Sequence, residues 1–317
     1  MGRYVVGDVP EIDRLVSETV KAIGAEIDAL AVPRLKGVVL GGGYGRGEGG
    51  VLEIQRGKRR LSNDLDFYVV AEDGTSNRKL NAIGAALRPI SVRWSARLGI
   101  EVDFCRAKTP WRIRHDQERL MIQELIHGYF DVAGQSGGEL FKDVERRPPS
   151  AFPWTEAVRL LVNRGAGLLM AGGSKDKRFI DYNINKCVLG AGDAKLIARG
   201  DYRWKAVDRA AALGESAYSA AVEWKFRPKP GKVCSWDEAR AEWIKALDEV
   251  METGRAAGAM RKSLYQAVRW IVRRRTLGET ATLGYEPVVR ILKQIAHSIR
   301  ERTMPDQSLW RDWEIFN

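Results

Sequence analysis

Cysteine and histidine are scarce in this 317-residue chain, which holds only Cys105, Cys187 and Cys234, and His115, His127 and His297. The cysteines lie far apart and form no CxxC pair, which argues against a disulfide framework and against a thiolate zinc site. With so few soft ligands, a metal here would be a hard cation held by carboxylates. Long hydrophobic runs are missing too. No apolar run approaches the roughly 20 residues that a membrane span needs. Met1-Gly2-Arg3-Tyr4 leads into charged sequence rather than an apolar signal core. The expectation is a cytoplasmic chain with no membrane partner. Apolar residues at 44% and charged residues at 29% are ordinary for a globular protein, which excludes wholesale disorder.

The length exceeds the roughly 250 residues at which single cores stop growing, so two packed units are expected. The proline-rich stretch Arg146-Arg-Pro-Pro-Ser-Ala-Phe-Pro153 is the best linker. It divides the chain into 1–147 and 148–317. The net charge of +11 is uneven: residues 1–150 hold 23 basic against 21 acidic side chains, and residues 151–317 hold 29 against 20. The second half therefore carries a positive field suited to a polyanion such as a nucleotide or nucleic acid, the plain alternative being a solvated basic surface.

Apolar residues from Val9 to Leu30 recur at helical spacing and predict a long first helix. Short strands follow at 36–40, 61–70 and 100–106, with a small one at 129–133. Helices are expected at 76–97, kinked or broken at Pro89, and near 112–127. Beyond the linker nearly everything reads helical: 154–171, 176–199, 203–226, 237–256, 258–276 and 283–303. The fold class expected is α+β, a small α/β domain with a mixed sheet followed by an all-helical domain.

Two patterns carry chemistry. The first is Gly41-Gly-Gly-Tyr-Gly-Arg-Gly-Glu-Gly-Gly50, seven glycines in ten positions directly after a strand. Without side chains, something can approach the backbone, and N–H groups in such a turn can cradle phosphate. No Gly-Lys-Ser/Thr follows, so it is not a P-loop. The apolar helix that a dinucleotide fingerprint needs is missing as well. The second is Asn63-Asp-Leu-Asp-Phe-Tyr-Val-Val70, where Asp64 and Asp66 share one strand face while Leu65, Phe67 and Val69 point to the core. Ile100-Glu-Val-Asp-Phe-Cys105 repeats the alternation, with Asp103 on the polar face. If these strands are neighbours, three carboxylates meet beside the glycine turn, an arrangement able to hold one or two divalent metals for phosphoryl transfer.

Over roughly residues 35–106 this combination resembles the DNA polymerase β-like nucleotidyltransferase superfamily. Gly42-Gly43 fill its Gly-Ser positions, Gly45-Arg46-Gly47-Glu48 continues its turn, Asp64 and Asp66 match its Asp-x-Asp and Asp103 its later Asp. The resemblance implies an enzyme that moves NMP from an NTP to an acceptor hydroxyl. It implies that Gly42 and Gly43, with Tyr44 and Arg46 of the same turn, bind the nucleotide. Asp64 and Asp66 would ligate two Mg²⁺ (or Mn²⁺). Asp103 would bridge the catalytic metal and help to deprotonate the hydroxyl. A lysine of the helical domain often reaches the phosphates in such enzymes, and Lys186 is the choice here, with Asn185 and Asp193 as further contacts on the same helix; the plain alternative is a salt-bridged helix face. One departure stands out. Gly43 to Asp64 spans 21 positions rather than about a dozen, so residues 50–60 look like an insertion that lengthens a hairpin and either faces solvent, the favoured reading, or touches substrate.

The acceptor could be an RNA 3′ end such as that of tRNA, a protein, or a small molecule. RNA suits the basic second half best. Arg261-Lys262 and Arg269 to Arg275, with Tyr265 and Trp270 interleaved, form its most basic segment, a candidate single-strand binder or a charged helix face over buried tryptophan. Two other readings compete: a non-catalytic nucleic-acid-binding protein on this scaffold, and an Asp-x-Asp sugar-nucleotide glycosyltransferase. The second leaves Asp103 without a role, and the first leaves three clustered acids unexplained.

Overall fold

The apolar stripe at the start of the chain forms α1 (Pro10–Leu30), which has Pro10 in its first turn and buries Ile12, Val16, Val20, Ile23 and Ile27. The structure, a computed structural model, describes residues 2–55, 57–256, 287–305 and 307–316. The expected helix at 258–276, the basic segment Arg261 to Arg275 and the start of the helix expected at 283–303 lie outside these residues. The chain is mixed α/β and divides into two units. The first comprises Met1–Pro148, Trp204–Ala206 and Glu223–Lys229, and the second holds Pro149–Arg203, Val207–Val222 and Pro230–Asn317.

In the first unit, β1 (Leu35–Leu40) enters the glycine cluster, which winds into one short turn, α2 (Gly42–Gly45). The hairpin β2 (Val51–Gln55) and β3 (Lys58–Leu61) forms a separate two-stranded sheet. Then come β4 (Leu65–Ala71), α3 (Asn77–Leu98), β5 (Val102–Phe104), α4 (Pro110–His115), α5 (Leu120–His127), β6 (Phe130–Gly134) and α6 (Gly137–Leu140). The main sheet has the order β5-β4-β1-β6. β1 runs antiparallel to both β4 and β6, whereas β4 and β5 are parallel. The sheet is therefore small and mixed.

Three elements of this unit differ from their sequence expectation, each for a local reason. The strand expected at 61–70 is interrupted at Ser62–Asp64, because Leu61 ends the hairpin and Leu65 opens the main sheet. The helix expected at 112–127 is split. Asp116 caps α4 through its N–H to the Arg112 carbonyl and draws in Lys108 at 3.4 Å and Arg119 at 3.8 Å. α3 runs unbroken through Pro89, which lies on the exposed side of the helix, where the carbonyl that loses its partner can meet water.

In the second unit, α7 (Trp154–Gly173), α8 (Lys177–Ala198), α11 (Trp236–Ala256) and the helix Pro287–Glu301 pack together, with α9 (Ala206–Leu213) and α10 (Ser216–Phe226) between α8 and α11 in the sequence. Trp243 is completely buried and donates from Nε1 to the Leu161 carbonyl at 2.9 Å, so tryptophan here anchors a core. The expected helix at 203–226 is split at Gly214, whose φ of +69° ends α9. Among the described residues no helix is long and apolar enough to cross a membrane.

α1 lies close enough to β6 that a Cβ at Gly24 would sit 2.2 Å from the Val132 carbonyl oxygen, a backbone atom that cannot swing aside. At Gly84, on α3, nothing lies within 4 Å. Alanine gains up to about 1 kcal/mol over glycine in a helix, while overpacking a core contact costs about 1–3 kcal/mol. Gly84→Ala is therefore expected to raise the urea midpoint, and Gly24→Ala to lower it. Equal shifts in both variants would contradict the close α1–β6 contact.

Candidate functional site

Alternation along β4 sorts its side chains onto two faces of the sheet. Leu65, Phe67 and Val69 are buried with Val38 and Leu40 against the apolar stripes of α1 and α3. On the other face Val39 and Val70 pack with Ile113, Ile122, Leu125 and Ile126, and Tyr68 lies against them. Asp66 shares this second face, one step beyond Tyr68. Asp103 on β5 stands in register with it, since Leu65, Asp66 and Phe67 pair with Val102, Asp103 and Phe104. Neighbouring strands lie about 4.8 Å apart, so the two half-buried carboxylates stand side by side.

Their field reaches the groups around them. The Cys105 thiol donates to Asp103 Oδ2 at 3.7 Å. Burial pushes this thiol up to about 12, and the Asp103 and Asp66 carboxylates add to the shift. The Tyr68 hydroxyl is raised chiefly by burial, with Cys105, Asp66 and Glu124 adding and Arg46 opposing. Asp64 lies just before β4, half-buried. Burial raises the Tyr44 hydroxyl, the backbone at Ser62 and Asn63 opposes the shift, and Asp64 adds to it.

The glycine turn is fastened to this corner. The Gly41 N–H donates to the Asp66 carbonyl at 2.8 Å. Gly42 adopts φ +60°, and a Cβ there would fall 1.9 Å from Asp66 Oδ2, so the acid lies directly against the turn. The chain's own packing thus demands glycine at 42. At Gly43 it does not: φ is ordinary, and the nearest atom to a Cβ is the Glu48 carbonyl oxygen at 3.4 Å, a normal contact.

Tyr44 is fully buried. Its hydroxyl donates to the Gly50 carbonyl at 2.7 Å and accepts from the Ser62 N–H at 3.2 Å, while Asn63 Oδ1 accepts from the Gly50 N–H at 2.6 Å. Tyr44, expected from the resemblance to touch nucleotide, holds the turn to the segment leading into Asp64. Arg46 pairs with Glu124 at 3.2 Å and Glu48 at 3.8 Å. Glu48 is only 2% exposed, yet it is well satisfied. It accepts from the Ala206 N–H at 2.7 Å and the Lys225 ammonium at 3.1 Å. Its anchoring role was missed in the sequence; the available signal was one acid standing among seven glycines.

The hairpin at 50–60 is mostly exposed, and Arg59 on it pairs with Glu11. In the helical unit, the Lys186 ammonium lies 4.1 Å from the centroid of the Tyr182 ring. Asn185 is buried and accepts from the Val233 N–H, and Asp193 is bound by Arg209 and the Tyr218 hydroxyl. Asn185 and Asp193 thus have structural partners, and the expectation for Lys186 rests on the resemblance alone.

Among the described residues no three His, Cys, Asp or Glu side chains form a ready-made metal cage. What is present is a carboxylate pair, the donor set that Mg²⁺ uses when phosphate oxygens and water complete its shell. The pair fits such an ion together with a phosphate-bearing ligand. No protein-family model matches the chain, and no curated protein matches it.

Removing the Tyr44 hydroxyl takes from the buried Gly50 carbonyl its 2.7 Å donor and leaves it the Ser62 N–H at 3.2 Å, at a cost of about 1 kcal/mol. Tyr44→Phe is expected to lower stability by that amount in a urea titration. An unchanged midpoint would mean that the hydroxyl does not hold the turn.

Proposed function

We propose that this chain is a metal-dependent nucleotidyltransferase of the DNA polymerase β-like kind, moving NMP from an NTP to an acceptor hydroxyl with release of pyrophosphate. The observation that carries the reading is the register of Asp66 with Asp103 on adjacent parallel strands, with the Gly42 backbone pressed against Asp66. Like charges so close are costly unless a cation lies between them. When bound, Mg²⁺ or Mn²⁺ supplies the positive charge that lets a triphosphate approach the acids and that stabilises the departing pyrophosphate.

Asp66 and Asp103 would hold that ion; Asp64, a ligand by the resemblance, lies just before β4 and forms no three-acid cluster with them among the described residues. The Gly42–Gly43 backbone lies against the phosphates, and Arg46 adds positive charge beside the turn. The acceptor oxygen attacks the α-phosphorus, its proton passes to Asp103, and the bond to the pyrophosphate oxygen breaks. The fold proposed is the superfamily's catalytic α/β domain with a helical domain after it. At Gly43 the bare backbone leaves space that the chain's own packing does not fill, which supports approach by a phosphate. The acceptor proposed is an RNA 3′ end, supported by the excess of 29 basic over 20 acidic residues in 151–317; a protein or small-molecule hydroxyl is the alternative outcome of the assay.

The assay supplies α-labelled NTP, Mg²⁺ and total RNA or cell lysate, and follows the label on a gel. Asp66→Asn is expected to cut transfer by at least about 100-fold, the scale for losing one group that stabilises transition-state charge. Gly43→Ala is expected to raise the KM for NTP roughly 10-fold, about 1.4 kcal/mol, with no change in the thermal midpoint. Full transfer by Asp66→Asn would overturn the reading.

A further inference from the structure

The far end of α2 opens onto a second feature. Gly45, Arg46 and Gly47, the end of α5 and the start of β6 border an open pocket of about 510 Å³. Twelve residues line it, and five of them are basic: Arg3, Arg46, His127, Arg146 and Lys205. None is Asp or Glu. The Asp66 carboxylate lies against Gly42, the first residue of the same turn, so acids mark one end of α2 and cations the other.

Neutral contacts hold several of these cations in place. The Arg3 guanidinium carbon lies 4.7 Å from the centroid of the Phe130 ring, a cation–π contact that fixes the side chain without cancelling its charge. The Lys205 ammonium donates to the Arg46 carbonyl at 2.8 Å. His127 donates from Nδ1 to the Gln123 carbonyl at 2.8 Å, and its ring stacks on Trp204 with centroids 4.0 Å apart. Glu48 and Glu124 offset the Arg46 charge, whereas the lining brings Arg3, Arg146 and Lys205 to the same opening. Converging cations repel one another as the paired acids do, and an anion between them relieves the cost.

We infer that this pocket is a phosphate-binding site beyond the carboxylate pair; it borders the proposed nucleotide site at Arg46 but rests on Arg3, Arg146 and Lys205, which that reading does not use. Arginine forks and a lysine suit phosphate oxygens. The volume falls in the range of about 300–1,000 Å³ typical of small-molecule sites, so the phosphate is carried on a larger group or belongs to a phosphate chain. That group is a free phosphorylated small ligand or the phosphorylated end of a nucleic acid.

The test is calorimetric titration of the full chain at low salt in EDTA, so that no metal-dependent site contributes. The probes are pyrophosphate and a short oligoribonucleotide with either a 5′-phosphate or a 5′-hydroxyl. Binding of pyrophosphate or of the 5′-phosphorylated oligonucleotide is expected, weakened at least 10-fold by Arg146→Ala, an exposed position, and by Arg3→Ala. Arg88→Ala, an exposed position on α3, should bind as the wild type does, and so should Asp66→Asn, which separates this site from the proposed catalytic one. Pyrophosphate binding as tightly as the oligonucleotide identifies a free ligand; preference for the 5′-phosphorylated over the 5′-hydroxyl form identifies a nucleic-acid end. No binding of any probe, or equal binding by wild type, Arg146→Ala and Arg3→Ala, overturns the inference.

Discussion

Two carboxylates held side by side on parallel strands are the constraint to which the rest of the first unit answers. Asp66 and Asp103 cannot separate, because the residues flanking them, Leu65 with Phe67 and Val102 with Phe104, are locked into the sheet and its apolar layer. Nor can Asp66 swing toward the turn, since Gly42 already fills that side. Their repulsion is therefore built in by burial elsewhere.

The glycine turn has to be rigid for that field to be aimed at anything. Two buried side chains, Tyr44 and Glu48, fasten it. Tyr44 ties Gly50 to Ser62, and Glu48 collects the Ala206 N–H and the Lys225 ammonium. A buried carboxylate with a charged partner and backbone donors is a strong fastening, and removing one partner costs far more than the pair's net worth. Turn, strand and acid thus form one piece. The basic pocket at the opposite end of α2 is carried on the same piece through Gly45, Arg46 and Gly47.

Much of this was legible in the chain. Alternation from Leu65 to Val69 sorts apolar from acidic side chains without any structure, because strand side chains alternate strictly. The adjacency of the two acidic strands was legible only as a condition, since strand order depends on contacts distant in sequence. Tyr44 read as a ligand contact, because nothing local tells that its ring is enclosed beneath Gly49 and its hydroxyl already bonded. Pro89 read as a kink or a break, and α3 does not break there, since tolerance of proline depends on which side of the helix faces water. The basic pocket was not legible at all: its basic side chains come from positions 3, 46, 127, 146 and 205, which no window along the chain brings together.

The central claim is that the Asp66–Asp103 pair takes a divalent cation together with a triphosphate. The most direct measurement is a calorimetric titration of Mn²⁺ into the protein, with and without a non-hydrolysable NTP analogue, for wild type and for Asp66→Asn/Asp103→Asn. The account predicts weak binding of the ion alone, at least 10-fold tighter binding when the analogue is present, and loss of both in the double variant. Mn²⁺ binding of equal strength in wild type and the double variant, with the analogue present, would contradict it.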